Sequence, residues 1–392
     1  MFAISEINAM THTLPSPISI LCVGMGWFPQ IPSGLNRYVH ELTHELAARS
    51  DQVELCGIDL PDRTEQKNLT LLNLASSAQK LPQRLWQAKQ SFKSRSHLTF
   101  NVVNLHFALY SFPLLQVLPK DVPVIFNFHG PWSLESEWEG ESSRSAWFKR
   151  WLEKRVYSRC DRFIVLSNAF GTILHEHYEV PWEKIHIIPG GVNTTRFQPT
   201  ISAQAARSQL GLPQGRKILF TPRRLVNRMG LDRLISAMVD VKKIVPEAYL
   251  VIAGKGPLRE SLEAQVQSLK LQNDVTFLGF VPDKDLPVAY QASDLLVMPS
   301  QGLEGFGLVL AESMACGTPA ICTPIGGMPE VLSPLNPNLI TNGIDSDAIA
   351  AKIIEMLTIP DALPSRDHCR QYAVAQFDWQ NVAQQVRQVM VM

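Results

Sequence analysis

Residues 294–324 read DLLVMPSQGLEGFGLVLAESMACGTPAICTP. The apolar run Asp294–Met298 ends at a Pro-Ser pair, which is typical of a buried strand. A loop with several glycines and Glu304 follows it. The sequence then predicts a helix over 307–316, ended by Gly-Thr-Pro, and a second strand over 320–323. This strand, loop, helix and strand order predicts an α/β fold.

The loop of this stretch is a candidate ligand site, because ligands of parallel sheets bind beyond the carboxyl ends of the strands. We therefore expect Glu304 and the amides of Gly305, Phe306 and Gly307 to face a crevice. The free amides of the helix's first turn can hold an anionic group there. Glu312 lies on that helix, with seven residues between it and the first acid. The spacing alone leaves open a solvated helix face with a capping glutamate.

The rest of the chain repeats the alternation of short apolar strands with helical segments. At 392 residues, the chain exceeds what one hydrophobic core usually organises. The alternation predicts a parallel sheet covered by helices in each half. The predicted strands are 18–23, 53–58, 102–107, 124–128 and 163–166, then 217–221, 249–253, 275–278, 295–298 and 320–323.

The opening stretch, an acid, Gly-Phe-Gly-Leu, a second acid and Ala-Cys-Gly-Thr-Pro, closely resembles the donor-sugar site of glycosyltransferase family 4. The resemblance extends from Ile18 to the end of the chain. It implies the GT-B fold, two Rossmann-like α/β domains that face each other across a cleft. The implied parts are an acceptor domain over 18–197, a nucleotide-sugar donor domain over 198–376 and a terminal helix over 377–392 that returns to the first domain. Residues 1–17 are predicted to be a flexible tail.

Composition excludes several classes of protein. Basic and acidic residues number 36 each, so no net charge favours nucleic acid. The six cysteines are scattered without a C-x-x-C pair, which favours buried thiols in a reducing compartment and predicts a cytoplasmic protein. No apolar run approaches the roughly 20 residues of a membrane span.

The resemblance also implies an activity. It is transfer of a hexose, with retention, from a nucleotide-diphosphate sugar to a glycan, lipid or small-molecule acceptor, without a metal or another cofactor. His129 follows the strand 124–128 and precedes Gly130, and it corresponds to a histidine that contacts the donor sugar. Glu304 and the amides after it would hold the sugar hydroxyls, while Glu312 would hold the ribose.

The positive charge for the diphosphate is the point at which this chain departs from the family. Arg224 matches an arginine that grips the diphosphate, but the lysine expected five residues later is Met229. Losing such a charge-assisted contact costs about 1.5–3 kcal/mol. We favour the interpretation that Arg228 supplies the missing positive charge, because its planar guanidinium group binds phosphate through paired hydrogen bonds. The alternatives are a loosely held donor and a protein without turnover.

The predicted site residues come from both halves of the chain. The nucleotide base is not identified, since contacts near Val281 would involve mainly the backbone. The predicted catalytic residues are His129, Glu304 and Arg224. The predicted donor-binding residues are Gly34, Arg223, Arg228, Lys255, Val281, Gly305, Phe306, Gly307, Leu308 and Glu312.

Two Asp-x-Asp pairs are candidate metal ligands, since such pairs hold Mg²⁺ or Mn²⁺ in the other major glycosyltransferase fold. They are Asp283 with Asp285 and Asp345 with Asp347. Each precedes an apolar-periodic segment, so the sequence favours helix capping over metal binding.

Two basic segments of the first half also carry apolar residues. Residues 80–97 contain five Lys or Arg and no acid, with apolar residues at helical spacing. The segment is either a solvated helix that covers the sheet or a helix that contacts an anionic membrane. Residues 144–162, with Trp147, Phe148 and Trp151, are predicted to form a crossover helix packed on the core.

Two other functions remain open from the sequence. One is a related enzyme of the same fold, such as a nucleotide-sugar epimerase or a phosphorylase. The other is a non-catalytic nucleotide-binding or partner protein, which the methionine at position 229 would suit.

Overall fold

The computed structural model describes residues 17–93 and 99–392. Within them, the strands form two parallel sheets of α/β type. The first sheet contains β1 (Ser19–Val23), β2 (Gln52–Ile58), β3 (Leu69–Ala75), β4 (Val102–Leu105), β5 (Val124–Phe128), β6 (Arg162–Val165) and β7 (Ile185–Ile187). The second contains β8 (Lys217–Pro222), β9 (Ala248–Ala253), β10 (Val275–Gly279), β11 (Leu295–Met298) and β12 (Ala320–Cys322).

Helices connect the strands and cover both sheets. The helices are α1 (Gly34–Ala48), α2 (Leu81–Lys93), α3 (Ala108–Ser111), α4 (Trp132–Trp138), α5 (Ser143–Tyr157), α6 (Asn168–Tyr178), α7 (Ala203–Leu210), α8 (Leu231–Ile244), α9 (Arg259–Ser268), α10 (Leu286–Gln291), α11 (Leu308–Ala315), α12 (Met328–Leu332), α13 (Ser346–Thr358), α14 (Arg366–Phe377) and α15 (Trp379–Val391). Such crossovers are what parallel pairing requires.

The strand order is β3-β2-β1-β4-β5-β6-β7 in the first sheet and β10-β9-β8-β11-β12 in the second. The ten predicted strands are confirmed, with ends that shift by up to two residues. The sequence analysis missed β3 and β7. The first is half exposed at an edge and the second has only three residues, so neither shows a continuous buried run.

The order reverses direction at β1 and β4 in one sheet and at β8 and β11 in the other. Crevices for ligands form at such reversals. The loops after β1, β4, β5, β8 and β11 therefore lie where a ligand can be bound.

The last helix joins the two halves. α15 packs against α1, and its Trp379, Val382 and Val386 are buried with Leu42 and Leu46 of that helix. The segment thus returns to the first sheet as expected. The predicted tail at 1–17 lies outside the described residues except for Pro17.

The expectation that 144–162 packs entirely on the core is wrong in part. Leu152, Val156 and Tyr157 of α5 are buried as expected. Two of the predicted aromatic residues are exposed instead, Trp147 at 68% and Phe148 at 50%. Helical spacing alone could not assign these rings, because both sides of the helix carry large apolar residues.

Candidate active site

A cavity of about 640 Å³ lies between the two sheets, and both halves of the chain line it. It contains most of the predicted site. Among the predicted residues, Gly34, His129, Arg223, Arg224, Arg228, Glu304, Gly305, Phe306, Gly307 and Leu308 line this cavity. Lys255, Val281 and Glu312 do not line it.

The loop after β11 has the conformation that the sequence predicts. Gly307 begins α11 with a φ of +82°, a value that favours glycine. A side chain at Gly305 would collide with Phe170, because its Cβ would lie 2.5 Å from that ring. The glycines therefore let the loop turn tightly under the first half, with the free amides of α11 at the cavity.

Arg223, a predicted donor-binding cation, contacts Glu304, the predicted catalytic carboxylate. Its guanidinium forms an ion pair with Glu304 and donates a hydrogen bond to Ser300 Oγ at 3.0 Å. Its Nη2 also lies 2.7 Å from Met229 Sδ. The buried Nε of Arg223 makes no hydrogen bond to the described residues. The position that a lysine would occupy is thus filled by a buried methionine in contact with an arginine.

The two other arginines are paired with acids of the first half. Arg228 is only 8% exposed, and its Nη2 lies 3.3 Å from Glu135 Oε1. It also donates to the carbonyl of Leu303 at 3.0 Å. Arg224 is 57% exposed and lies 3.5 Å from Glu139. Glu135 lies on α4 and Glu139 directly follows that helix, and neither acid is among the predicted site residues.

Glu135 is an acid of the first half that lines the cavity. Burial raises its pKa, while Arg228 and Arg224 lower it. Its Oε1 lies 3.1 Å from the position that a Cβ on Gly130 would occupy. The glycine after His129 therefore makes room for this carboxylate. The sequence could have indicated Glu135, because α4 begins soon after the end of β5, where His129 lies.

His129 is the last member of a chain of buried polar groups. Tyr38 donates to Asn127 Oδ1 at 3.3 Å, and the amide of Asn127 donates to Asn104 Oδ1. Asn104 Nδ2 then lies 3.1 Å from His106 Nε2, and His106 Nδ1 lies 3.1 Å from His129 Nε2.

These contacts fix the proton positions. An amide nitrogen donates to His106 Nε2, so His106 carries its proton on Nδ1 and donates it to His129. His129 therefore carries its own proton on Nδ1. Burial lowers the pKa of His129 to about 3, so the ring is neutral. His106 follows β4 as His129 follows β5, and this position at a strand end could have indicated His106 as a site residue.

The remaining predicted residues have other partners. Glu312 is buried, forms an ion pair with Arg37 of α1 and accepts a hydrogen bond from Tyr290 at 2.7 Å. Lys255 is exposed, with its Nζ 5.5 Å from the ring centroid of Phe280. Val281 packs partly against the core of the second half.

The Asp-x-Asp pairs are engaged within the fold. Asp345 caps α13 by accepting a hydrogen bond from Ala348 N at 2.8 Å, as predicted. The capping interpretation is wrong for Asp283, whose carboxylate forms ion pairs with Arg37 and Arg196. Across residues 17–93 and 99–392, no group of three or more His, Cys, Asp or Glu could hold a metal ion.

Comparison with known proteins assigns the chain to a family. The model for glycosyltransferase family 4 matches residues 32–196, and the model for glycosyl transferases group 1 matches residues 202–376. The chain belongs to glycosyltransferase family 4. The two matches meet close to the boundary between the two sheets.

Among curated relatives of this family 4 protein, a D-inositol 3-phosphate glycosyltransferase of Segniliparus rotundus is 28% identical over 59% of this chain and 52% of its own length. A GDP-mannose-dependent alpha-(1-6)-phosphatidylinositol monomannoside mannosyltransferase of Mycolicibacterium smegmatis is 33% identical over 46% of this chain and 49% of its own. The matches therefore span about half the length of these relatives.

Solved structures agree on the fold of the family 4 chain. A sucrose-phosphate synthase of Thermosynechococcus elongatus superposes with a TM-score of 0.79 at 25% identity, covering 95% of this chain and 98% of the other. The two parallel sheets and this likeness identify the GT-B fold.

Proposed function

We propose that this protein is a retaining, metal-independent hexosyltransferase that uses a nucleotide-diphosphate sugar. The observation that carries the proposal is the pairing of cations and amides on one wall of the cavity with His129 on the other. Arg223, Arg224 and Arg228 line the wall of the second half. They would bind the diphosphate and neutralise the charge that develops as it departs.

The metal-free part of the proposal is supported by the same arginines. Phosphate is bound well by guanidinium groups, which form paired hydrogen bonds. Asp283 and Asp345, the carboxylates most suited to a metal by sequence, already have partners within the fold. The ring of His129 can donate from Nδ1 to a hydroxyl of the transferred sugar.

A panel of nucleotide sugars tests the proposal. We expect one donor to raise the melting temperature, since a specific ligand stabilises the folded state. That donor should be hydrolysed slowly without an acceptor and transferred faster with one, and chelation with EDTA should leave the rate unchanged. Replacing Arg224 and Arg228 together by alanine should abolish both activities. NMR of the product should show the anomeric configuration of the donor.

The alternatives give different results in that experiment. An epimerase would isomerise the donor without transfer. A non-catalytic binding protein would be stabilised by a nucleotide sugar, with no turnover in either the wild type or Glu304→Ala. Full activity of the double arginine variant would contradict the proposed role of these cations.

We further propose that the acceptor is reached at an anionic membrane surface. The helices α2 and α5 both pack against the turn Phe112–Leu114 of the first half. Their outer surface carries the exposed rings of Trp86, Trp147, Phe148 and Trp151. The segments 80–93 and 143–157, which contain these helices, also carry five exposed cations: Lys80, Lys93, Arg144, Arg150 and Arg155.

This aromatic–basic face combines the two features that favour an anionic bilayer. Aromatic rings partition to the headgroup region, and cations near it add about 1 kcal/mol each. Residues 94–98, part of the basic segment 80–97, lie outside the described residues. Among the residues that are described, no helix is both long and apolar enough to cross a bilayer. The six buried, free cysteines suit a site on the cytoplasmic side.

Vesicle binding tests the membrane contact. We expect the protein to sediment with vesicles that contain anionic lipid and to remain in solution with neutral ones. Trp147→Ala combined with Trp151→Ala should weaken this binding. Ile244→Ala, which removes a 60% exposed side chain of the second half, is the matched control. Equal binding by both variants would contradict the proposal.

A further inference from the structure

The two walls of the cavity differ in charge. The second half contributes three arginines to it. Of the described residues that the first half contributes, none is a lysine or an arginine. The charged residues among them are Glu135 and Glu153. The only formal charges on this wall are therefore negative.

The nearest cations of the first half are engaged elsewhere. The guanidinium of Arg37 is shared between Asp283 and Glu312. Lys149 lies with its Nζ 4.8 Å from the ring centroid of Trp132, bonded to Glu141 at 2.6 Å. Neither side chain lines the cavity.

The first amides of α4 on this wall already have an acceptor. Trp132 N and Ser133 N, in the first turn of α4, donate to the carboxylate of Glu153 at 2.9 and 3.3 Å. This helix end therefore already holds an anion. Gly34 begins α1 at the cavity, and it is one of the predicted donor-binding residues.

The side chains on this wall suit the hydroxyl groups and the apolar C–H faces of a sugar ring. The carboxylate of Glu135 can accept hydrogen bonds from two hydroxyls of one ring. The rings of Trp132 and Phe107 are partly exposed at the cavity, with their centroids 5.3 Å apart. Aromatic faces pack well against apolar faces of partly polar molecules.

We propose that the reacting unit of the acceptor is an uncharged sugar ring without a phosphate group. The inference rests on the proposed function. A phosphate monoester beside Glu135 would meet a carboxylate whose cation, Arg228 at 3.3 Å, is assigned to the donor diphosphate by the proposed function, and this disfavours binding. The relative from Segniliparus rotundus is named for a phosphorylated inositol acceptor, so this chain would differ from it in acceptor class.

The transfer step balances without a further reactant. The bond between the anomeric carbon and the diphosphate oxygen breaks, and a bond from that carbon to the acceptor hydroxyl oxygen forms. The hydroxyl proton leaves with the nucleoside diphosphate. Glu135 holds neighbouring hydroxyls and is not required to take this proton.

Matched pairs of acceptors test the inference. The donor is the nucleotide sugar, for example UDP-glucose or GDP-mannose, that raises the melting temperature most. The acceptor pairs are mannose with mannose 6-phosphate, fructose with fructose 6-phosphate, and inositol with inositol 3-phosphate, alongside octyl glucoside as a neutral glycolipid analogue. Mass spectrometry gives initial rates of product formation. We expect the neutral members to react at least about tenfold faster than their phosphorylated partners.

Two variants on α4 sharpen the test. Glu135→Lys places a cation on the acceptor wall and should reduce or invert the preference for neutral acceptors. Glu137→Lys makes the same change of charge at an exposed position of the same helix that does not line the cavity. It should leave the preference unchanged.

Three outcomes would overturn the inference. They are faster transfer to the phosphorylated members, donor hydrolysis without transfer to any neutral acceptor, and an equal effect of the two lysine variants. If the wild-type protein neither bound nor hydrolysed any donor, the proposed function would be contradicted instead. The two failures are therefore distinguishable.

Discussion

Arg37 of α1 forms an ion pair with Glu312 of α11, so a cation of the first half neutralises the carboxylate that the family resemblance assigns to the donor ribose. Glu312 is 3% exposed and also accepts a hydrogen bond from Tyr290. The same guanidinium contacts Asp283, which pairs in turn with Arg196. The two halves are thus joined by a charged network beside the cavity, and a bound ribose must share Glu312 with Arg37 or displace it.

Arg37→Ala should lower the free energy of unfolding by about 1–3 kcal/mol, because it leaves a buried carboxylate without a cation. Urea denaturation measures this change. The control is Arg233→Ala, which breaks an exposed pair with Asp232 at 3.7 Å and should cost little. If the two losses were equal, the contact between Arg37 and Glu312 would not stabilise the fold beyond an ordinary exposed ion pair.

Exchange of the residues at positions 223 and 229 tests where the phosphate-binding charge lies. Met229 is 4% exposed and touches Arg223, so Met229→Lys alone would bury a second cation beside the first. We expect this variant to be destabilised. Arg223→Met alone should weaken donor binding about tenfold to a hundredfold, as expected for loss of a charge-assisted contact.

The double variant Arg223→Met with Met229→Lys should recover most of the donor affinity, since it returns the cation to the position that the family uses. Isothermal titration with the nucleotide sugar measures all three affinities. Arg259→Met, on the partly exposed surface of α9, is the control for loss of an arginine. Tighter donor binding by Met229→Lys alone would contradict our interpretation of the Arg223 contact.

The sequence predicts the site residues that follow strand ends, because the carboxyl ends of parallel strands meet at one edge of a sheet. His129, Arg223 and Glu304 were placed by that rule and line one cavity. It fails where a side chain's partner is distant in sequence. Glu312 and Arg37 are 275 residues apart, and nothing local in the sequence indicates their contact.

Charges on the facing half could not be predicted for the same reason. Glu135 and Glu139 resemble ordinary solvated acids of a helix, and only the closeness of the two halves places them beside Arg228 and Arg224. The sequence hypothesis that Arg228 compensates for Met229 is still a hypothesis. The structure adds that this arginine forms an ion pair with Glu135.

Donor affinity should rise as the pH falls from 7 toward 5. Burial raises the pKa of Glu135 above its ordinary value, so this carboxyl gains its proton earlier than an exposed one. Its protonation removes the charge that competes for Arg228, while the diphosphate of a nucleotide sugar keeps its own charge. Titration calorimetry at several pH values measures the effect.

Glu135→Gln should bind the donor more tightly at pH 7 and show a flatter pH dependence. Glu139→Gln removes the more exposed acid, at 38% exposure, and should retain the dependence of the wild type. A wild-type affinity that falls at lower pH would contradict the competition between Glu135 and the diphosphate.

His106 should matter for turnover through the orientation of His129. His106→Phe keeps a planar ring but removes both nitrogens, leaving Asn104 without its acceptor and His129 without its donor. We expect the kcat for donor hydrolysis to fall about tenfold to a hundredfold. His106→Gln keeps one donor and one acceptor and should recover part of the loss.

Because burial lowers the pKa of His129 to about 3, the ring stays neutral from pH 5 to 8, and the wild-type kcat/KM should show no inflection from it. An inflection between pH 6 and 7 that disappears in His129→Asn would show that the imidazole titrates in this range, and the fixed proton arrangement inferred from these contacts would then be wrong.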